Sequence, residues 1–383
     1  MSERALKKFL LRCGRFLNKF EFKTNHISYR YNIIPIIAEH CHNLQCLIIR
    51  LNYHSNVNMT GLFFHLLKLE RLELSGLSRK FRDACLKKLP QNTLKELSLI
   101  SDEFDYYFTE SSIQITRAGA IGIQNMKNLW KLELTGFSFK ADKLKLIVRN
   151  ESITYLSLKN CYFEKCINLI ENFRGLKYLN LLNVDAVDDT FLIKLAANCT
   201  ELEELNIENC TDVTNDGINA IFKLKKLTTL IIDDLDEVTD TVLSKFVALK
   251  VLHCKNCNFV RDFGAIELLQ NAPYLEEINL CGTSVSTSLL DIAHNVAISR
   301  ANAIPLKVIV SSTLESEWNR PPCISKSVLI VEGQDEDDNL WNSYSDDPEL
   351  SDSCNSYDED EIDDYDDYVC WGWYDSDENS IEG

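Results

Sequence analysis

The sequence predicts an α/β solenoid, in which short parallel strands stack into one sheet and helices cover one side of it. The motif L-x-x-L-x-L returns along most of the 383 residues, mostly at spacings of 22 to 27 residues, which is room for one strand and one helix. Only 13 glycines and 7 prolines are present, which disfavours a sandwich or barrel with frequent turns. With 45% apolar and 26% charged residues, the chain is of globular type, and a collagen-like, wholly disordered or membrane-embedded protein is excluded.

Each motif copy has three apolar anchors, which we name first, second and third. The copies are Leu44/Leu47/Ile49, Leu69/Leu72/Leu74, Leu94/Leu97/Leu99, Leu129/Leu132/Leu134, Ile153/Leu156/Leu158, Leu176/Leu179/Leu181, Leu202/Leu205/Ile207, Leu227/Leu230/Ile232, Leu249/Leu252/Cys254 and Leu275/Ile278/Leu280. A degenerate copy, Leu17/Phe20/Phe22, precedes them, and Leu306/Ile309 follows. Such a series predicts a leucine-rich repeat solenoid, or horseshoe, of about 11 to 12 repeats over residues 1–310.

The period has a physical basis. The L-x-L alternation places successive side chains on opposite faces of a strand, and a helical pattern such as Phe191, Leu192, Leu195 and Ala196 follows about a dozen residues later. One repeat cannot bury its own apolar face, so stacking is needed. We therefore expect a parallel sheet on the concave face and helices on the convex face.

Cysteines occupy two fixed positions of the repeat. Cys161, Cys210 and Cys257 stand eight residues after a first anchor, where Asn25 and Asn52 stand in earlier repeats, and Cys41 and Cys199 stand three residues before one. Between strand and helix recurs a turn with Asp188, Thr214 or Thr239, which are suitable helix N-caps. The 14 cysteines are interpreted as reduced, buried side chains of a cytoplasmic or nuclear protein.

The pattern C-x-x-L-x-x-L-x-L-x-x-C from Cys199 to Cys210 resembles the repeats of F-box/LRR proteins, over roughly residues 5–310. That resemblance implies a protein-binding receptor for substrates of a cullin-based ubiquitin ligase. Family members carry an N-terminal F-box that binds a Skp-type adaptor, whereas the first anchor here is Leu17, which leaves too few residues for three helices. Either the chain is a truncated form, or it kept the receptor and lost the ligase link, and the adaptor is expected only with an upstream F-box.

The N-terminal residues show no apolar signal-peptide core, and no apolar run is long enough to span a membrane. We assign the basic stretch before Leu17 to a first repeat strand rather than to a mitochondrial transit peptide.

No catalytic, cofactor or metal site is predicted. Cys254 and Cys257 are spaced like a redox or zinc half-site, but they occupy a third anchor and a turn position, so both are expected in the core. Phosphate-binding, serine-hydrolase, metalloprotease and kinase motifs do not occur. We therefore expect a protein that is not an enzyme.

The x positions around the second and third anchors are expected to line the concave face. At the N-terminal end they include Lys19, Lys23, Arg50 and Arg71, so we expect the face to run from basic to acidic. The predicted partner-binding residues are Tyr155, Lys159, Tyr178, Asn180, Glu204, Asn206, Glu208, Asp233, His253 and Lys255, with Glu277 beyond them. Aromatic side chains surrounded by charge are typical of protein-binding hot spots; the alternative is a merely solvated sheet face.

Residues 311–332 are predicted to cap the repeats and residues 333–383 to form a disordered acidic tail. The net charge is −18, yet the 21 acidic residues from Ser327 onwards are accompanied by no Lys or Arg, so residues 1–326 hold 37 acidic against 40 basic side chains. Such a tail is either a solvated end or a ligand for basic surfaces, in cis or in trans. A 35-residue spacing between Leu94 and Leu129 also predicts a loop at residues 101–108, either a binding loop or one folded back on the repeat edge.

Two other functions fit parts of the sequence. Acidic leucine-rich nuclear proteins that bind histones also join repeats to an acidic tail, but their repeat bodies are shorter and lack the cysteines. Direct RNA or DNA binding is disfavoured because the tail is strongly acidic. The first choice is a module that binds a protein partner on its concave face.

Overall fold

The buried anchors determine the fold, because every L-x-x-L-x-L copy supplies one strand whose leucines enter a single apolar core. The computed structural model describes residues 3–23, 34–50, 63–101, 112–163, 174–300, 302, 304–321 and 329–335. They belong to a unit that ends at Asp337. In this part of the chain, thirteen strands pair in parallel into one sheet, and three shorter strands form a second sheet. The chain is therefore a leucine-rich repeat solenoid, as predicted.

The thirteen strands follow the repeats in order. They are β1 Lys19–Lys23, β2 Cys46–Arg50, β3 Arg71–Leu77, β4 Glu96–Ser101, β6 Lys131–Thr135, β8 Tyr155–Ser157, β10 Tyr178–Asn180, β11 Glu204–Asn206, β12 Thr229–Ile231, β13 Val251–His253, β14 Glu277–Asn279, β15 Leu306–Ser311 and β16 Leu329–Gln334. The second sheet consists of β5 Ile113–Gln114, β7 Phe137–Phe139 and β9 Tyr162–Phe163.

Helices of varied length connect these strands. They are α1 Glu3–Cys13, α2 Ile34–His40, α3 Arg117–Gln124, α4 Ala141–Ile147, α5 Asp189–Asn198, α6 Asn215–Ile221, α7 Asp240–Leu243, α8 Asp262–Asn271, α9 Thr287–Ser299 and α10 Ser312–Glu317, with 3-10 turns at Gly14–Phe16 and Asp83–Lys88. Helix α5 confirms the helical pattern predicted there, since Phe191, Leu192, Leu195 and Ala196 are its buried residues. None of the helices in the described ranges has the length and apolar character needed to cross a membrane.

Both ends of the sheet differ from the prediction. The stretch before Leu17, which was assigned to a strand, is helix α1, because Leu6 and Leu10 are spaced four residues apart and form one buried helical face. At the other end β16 pairs with β15 as far as Gln334, two residues beyond the predicted end of the cap at 332. The boundary could not be read from the sequence because Gly333 and Gln334 carry no apolar signal.

Buried thiols link each repeat to its neighbour. Cys161, Cys210 and Cys257 are almost fully buried, and their Sγ atoms donate to main-chain oxygens of the preceding repeat at 3.1 to 3.2 Å. Each acceptor is the carbonyl of that repeat's third anchor, namely Leu134, Leu181 and Ile232. Burial raises the pKa of all three thiols to about 12, so they stay protonated donors. Asn25 and Asn52 lie outside the described residues.

A second ladder runs along the ends of the strands. Two residues after the third anchor, five Asn or Asp residues adopt positive φ of 53° to 58°: Asn160, Asn183, Asn209, Asp234 and Asn256. Short polar residues tolerate this left-handed conformation better than others. Their side chains also join neighbouring repeats: the amide nitrogens of Asn183, Asn209 and Asn256 donate to the ladder side-chain oxygen of the preceding repeat at 2.8 to 3.1 Å.

A third ladder joins the helix starts. The carboxylate of Asp189 accepts from the main-chain nitrogens of Thr214 at 2.8 Å and Gly217 at 3.0 Å, in the next repeat. Asp83 and Asp262 bind Thr116 and Ser286 in the same way. This close approach requires glycine at position 217, since a Cβ there would lie 2.4 Å from Asp189 Oδ1.

The predicted N-caps are largely confirmed. The Asp188 carboxylate accepts from Phe191 N at 2.8 Å, and the Thr214 hydroxyl accepts from Asp216 N at 3.2 Å. Thr239 stands at the N-cap of α7 but makes no capping bond, because its hydroxyl bonds Asn215 and Thr241 instead.

Replacing a second anchor tests this strand register. Leu205 is 1% exposed, so we expect Leu205→Asp to destabilise the fold by several kcal/mol, of order 3 to 5, because it buries an unpaired carboxylate. The outward-facing, half-buried Thr229 of the next strand provides the control: Thr229→Asp should cost less than about 1 kcal/mol. Urea unfolding measures both values, and equal losses would contradict the assigned register.

Candidate functional site on the open face of the sheet

The face of the large sheet opposite the core, called the open face here, carries two rows of side chains set by strand pairing. Row one contains the residues aligned with Tyr178: Lys19, Cys46, Arg71, Glu96, Lys131, Tyr155, Glu204, Thr229, Val251, Glu277, Lys307 and Ile330. Row two contains the residues aligned with Asn180: Glu21, Ile48, Glu73, Ser98, Glu133, Ser157, Asn206, Ile231, His253, Asn279, Ile309 and Glu332. The remaining predicted site residues, Lys159, Glu208, Asp233 and Lys255, follow the strands in the adjoining turns.

The two predicted tyrosines form the centre of the open face. Tyr155 and Tyr178 stack with ring centroids 3.8 Å apart and planes 3° from parallel. The other side of Tyr155 meets the Lys131 ammonium, 4.5 Å from the ring centroid, and the Trp130 ring at 6.5 Å in an edge geometry. Burial first, and then hydrogen bonds with Tyr178 and Glu133, raise the pKa of Tyr155. The two tyrosines thus form an uncharged aromatic surface, and Lys131 and Trp130 support it on the Tyr155 side.

Trp130, Lys131 and Glu133 were missed by the sequence prediction. They occupy the x positions of the Leu129/Leu132/Leu134 copy, where the same rule would have found them. Lys131 pairs with Glu133 at 3.2 Å, so both residues support the tyrosines from the preceding strand.

Two predicted site residues have internal roles. The amide oxygens of Asn180 and Asn206 accept from main-chain nitrogens two residues on, Leu182 at 3.0 Å and Glu208 at 2.9 Å. Asn180 also donates to the Tyr178 hydroxyl at 3.3 Å. Both are nearly buried, at 2% and 9% exposed. They hold the strand ends and the tyrosine in place and offer little surface to a partner.

Acidic side chains follow the tyrosines towards the C-terminal repeats. Glu204 is exposed, whereas Asp233 is 8% exposed and accepts from Lys255 N at 2.6 Å. Burial, together with repulsion from Glu208 and Asp234, raises the pKa of Asp233 to about 7. Burial and then the charge of Asp234 also raise the pKa of Glu208, although Lys159 and Lys255 partly oppose this. Asp233 therefore carries only part of a full negative charge near neutral pH.

Further along, charges are paired. His253 Nε2 lies 2.8 Å from Glu277 Oε1, and Lys307 Nζ lies 3.7 Å from the other oxygen of Glu277. Lys307 also pairs with Glu332 at 2.7 Å. The predicted residue His253 is thus engaged with a neighbour within the sheet.

The N-terminal end of the face is not basic, which corrects the predicted change from basic to acidic. Arg50 lies 3.7 Å from Glu21 and 3.5 Å from Glu73, and Arg71 pairs with Glu73 at 3.2 Å and Glu96 at 3.5 Å. The prediction counted the cations and left out the alternating glutamates of the same strands.

Other predicted features carry no binding chemistry or fall outside the described ranges. Cys254 and Cys257 are fully buried as predicted, and both thiols donate to main-chain oxygens. Within the described ranges no group of three or more His, Cys, Asp or Glu is arranged to hold a metal ion. Of the predicted loop at 101–108, only Ser101 is described, and the acidic tail lies outside the described residues from 336 onwards.

Comparison with known proteins gives a limited likeness. No family model matches the chain. A Caenorhabditis elegans protein named "Putative RNA-binding protein EEED8.10" is 28% identical over 153 residues, which is 37% of this chain and 21% of that protein. The chain thus spans about a fifth of the length of this curated relative.

Similar solved structures include an internalin of Listeria monocytogenes, with 15% identity and a TM-score of 0.48 over 81% of this chain and 87% of that one. The yeast Rad7 and Elc1 complex has 15% identity and a TM-score of 0.44 over 87% and 93%. A Leptospira interrogans LRR protein has 16% identity and a TM-score of 0.45 over 73% and 70%. At these values the likeness carries no argument about function.

The raised pKa of Asp233 predicts a pH-dependent stability effect. Between the ordinary pKa of 3.8 and about 7, the folded protein keeps this proton while the unfolded chain loses it, so wild-type stability falls as pH rises. The shift corresponds to at most about 4 kcal/mol. We expect Asp233→Asn, whose amide oxygen still accepts from Lys255 N, to be about 1 to 3 kcal/mol more stable than wild type at pH 8.

Urea unfolding between pH 4 and pH 8 measures this difference, which should widen up to about pH 7 and stay constant above it. Asp236→Asn, which removes an exposed carboxylate three residues further along the chain, serves as the matched control. A stability gain of Asp233→Asn that is the same at every pH would contradict the assignment.

Proposed function

We propose that this protein is a non-enzymatic recognition module that binds a protein partner on the open face, in the manner of the substrate-receptor part of an F-box/LRR ubiquitin ligase. The observation that carries the proposal is the Tyr155–Tyr178 stack, which places two aromatic rings, 3.8 Å apart, near the middle of the thirteen-stranded sheet. Large aromatic residues dominate the energy of protein interfaces. Because these rings are already ordered, little side-chain entropy is lost when a partner binds.

The support around the stack favours the same use. Lys131 and Trp130 fix Tyr155 from one side, and Asn180 holds the Tyr178 hydroxyl. The anchors of the same strands point into the core, so the rings can be truncated without opening a cavity between repeats. Binding and stability are therefore separable at this site.

Truncating both tyrosines tests the proposal. Partners recovered by affinity capture with the full chain should bind Tyr155→Ala and Tyr178→Ala variants at least tenfold more weakly, since a hot-spot residue contributes about 2 kcal/mol or more. Phe263→Ala removes an aromatic ring that is 68% exposed on helix α8, and it should leave binding unchanged. Unfolding curves should agree for all variants. A partner that binds the tyrosine variants as tightly as wild type would contradict the site.

The ligase link is the finer part of the proposal. A receptor of this kind joins a cullin complex through a Skp-type adaptor, and the adaptor would require an F-box upstream of the repeats. Co-purification of adaptor and cullin with a chain that carries such a segment, and not with residues 1–383, would support this role in the cytoplasm or nucleus. Stoichiometric adaptor binding by residues 1–383 would contradict the prediction that an upstream F-box is needed. Absence of the adaptor from a chain that carries an upstream F-box would contradict the ligase role.

RNA binding is a second candidate, favoured by the name of the Caenorhabditis elegans relative and by a charge asymmetry. Residues 1–150 hold 24 Lys and Arg against 13 Asp and Glu, whereas residues 151–326 hold 16 against 24. Three exposed cations stand at neighbouring helix starts: Arg82 before the Asp83–Lys88 turn, Arg117 at the start of α3 and Lys140 before α4. The turn packs against α3, and α3 packs against α4. The phosphate groups of an RNA would therefore bind at these helix starts and not on the open face.

Salt dependence distinguishes this second function. If RNA binds at the helix starts, replacing Arg82, Arg117 and Lys140 with Ala should weaken binding of a single-stranded RNA and reduce the slope of log K against log salt by about 2. Fluorescence anisotropy measures both quantities, and the tyrosine variants serve as matched controls that retain binding. An unchanged slope would exclude this surface.

A further inference from the structure

The two faces of the Tyr178 ring have different surroundings. One face stacks on Tyr155. On the other side, the next position in row one is Glu204, which is aligned with Tyr178 by strand pairing. Among the residues that the structure describes, no ring or cation contacts this second face. Tyr178 is half-buried, so part of its ring remains exposed on the open face.

Glu204 differs from the other carboxylates of the open face. Rows one and two hold seven glutamates, and six of them lie within 4.0 Å of a Lys, Arg or His nitrogen. The six paired residues are Glu21, Glu73, Glu96, Glu133, Glu277 and Glu332. Glu204 has no such partner in the described part of the chain, and its side chain is exposed. The sheet thus neutralises every carboxylate of these rows except the one beside the open tyrosine ring.

The residues beyond Glu204 fit the stem of a long cationic side chain. Thr229 and Val251 continue row one and Ile231 lies in row two, and all three are half-buried and uncharged. Glu208 and Asp233 stand in the adjoining turns, where the charges of Lys159 and Lys255 oppose theirs. The negative charge offered to a cation at Tyr178 is therefore that of Glu204.

On the basis of the protein-recognition function proposed above, we propose that the partner presents an arginine, whose guanidinium stacks on the open face of Tyr178 and forms an ion pair with Glu204. Arginine fits better than lysine because its planar group stacks on a ring and bonds a carboxylate through two nitrogens at once. A guanidinium over an aromatic ring gains further from the negative ring face. The partner segment is therefore basic and bears at least one exposed arginine.

The test uses peptides selected from a random displayed library on the full chain. The bound peptides should contain arginine, and synthetic versions in which citrulline replaces that arginine should bind at least tenfold more weakly, since citrulline keeps the shape and loses the charge. Glu204→Lys should weaken the arginine peptides by at least tenfold and should improve the binding of peptides with glutamate at the same position. Glu237→Lys makes the same charge change in the exposed turn before α7, and it should change affinity less than threefold.

The outcomes separate the two proposals. Peptides that need Tyr155 and Tyr178 but tolerate citrulline would overturn the arginine inference and leave the recognition function standing. Equal losses from Glu204→Lys and Glu237→Lys would reduce the effect to net charge and would also overturn it. A library that yields no peptide dependent on the tyrosine pair would overturn both proposals.

Discussion

The parallel register between repeats is the constraint on which the rest of this structure depends. Side chains alternate along a strand, so a slip of one residue would turn every leucine anchor outwards and every charged residue inwards. The three ladders of polar bonds oppose such a slip, because each donor has an acceptor only in one alignment. Thiols and asparagines fix the turns that follow the strands, and aspartates fix the helix starts. Together the three ladders keep the strands in one register along a solenoid in which each repeat contacts only its neighbours.

The register also determines which charged side chains of the open face pair with one another, and this pairing affects recognition. Acids and bases two residues apart on one strand, or on adjacent strands, meet as pairs, and most of the open face is neutralised in this way. Exposed pairs add little to stability, but they leave few unsatisfied charges to attract unsuitable partners. The unpaired charge is concentrated next to the tyrosine stack, where the apolar contact area also lies. Selectivity and affinity thus come from the same few strands.

The sequence predicts the repeats well because their signal is repeated and local. Ten anchor triplets, the buried cysteines and the outward positions of the two tyrosines follow from spacing alone, whereas the stacking of the tyrosines does not. Pairing along the rows was harder, because it depends on which side chains of different repeats reach one another. Arg71 counts as a free cation in the sequence, whereas in the sheet it lies between Glu73 and Glu96. Similarly, Asn180 has the polarity of a binding residue, although its amide serves the main chain. The asparagines of the second ladder recur in the sequence, but their role is understood only once the structure shows their positive φ.

The aspartate ladder favours folding of the repeats in order from the N-terminal end. Each aspartate satisfies main-chain nitrogens at the helix start of the following repeat, as Asp189 does for Thr214 and Gly217. A ribosome releases the N-terminal repeats first, so each carboxylate is already in place when the helix that needs it emerges. At each of these positions, a newly folded repeat therefore docks onto a repeat whose carboxylate is already in place to accept its hydrogen bonds.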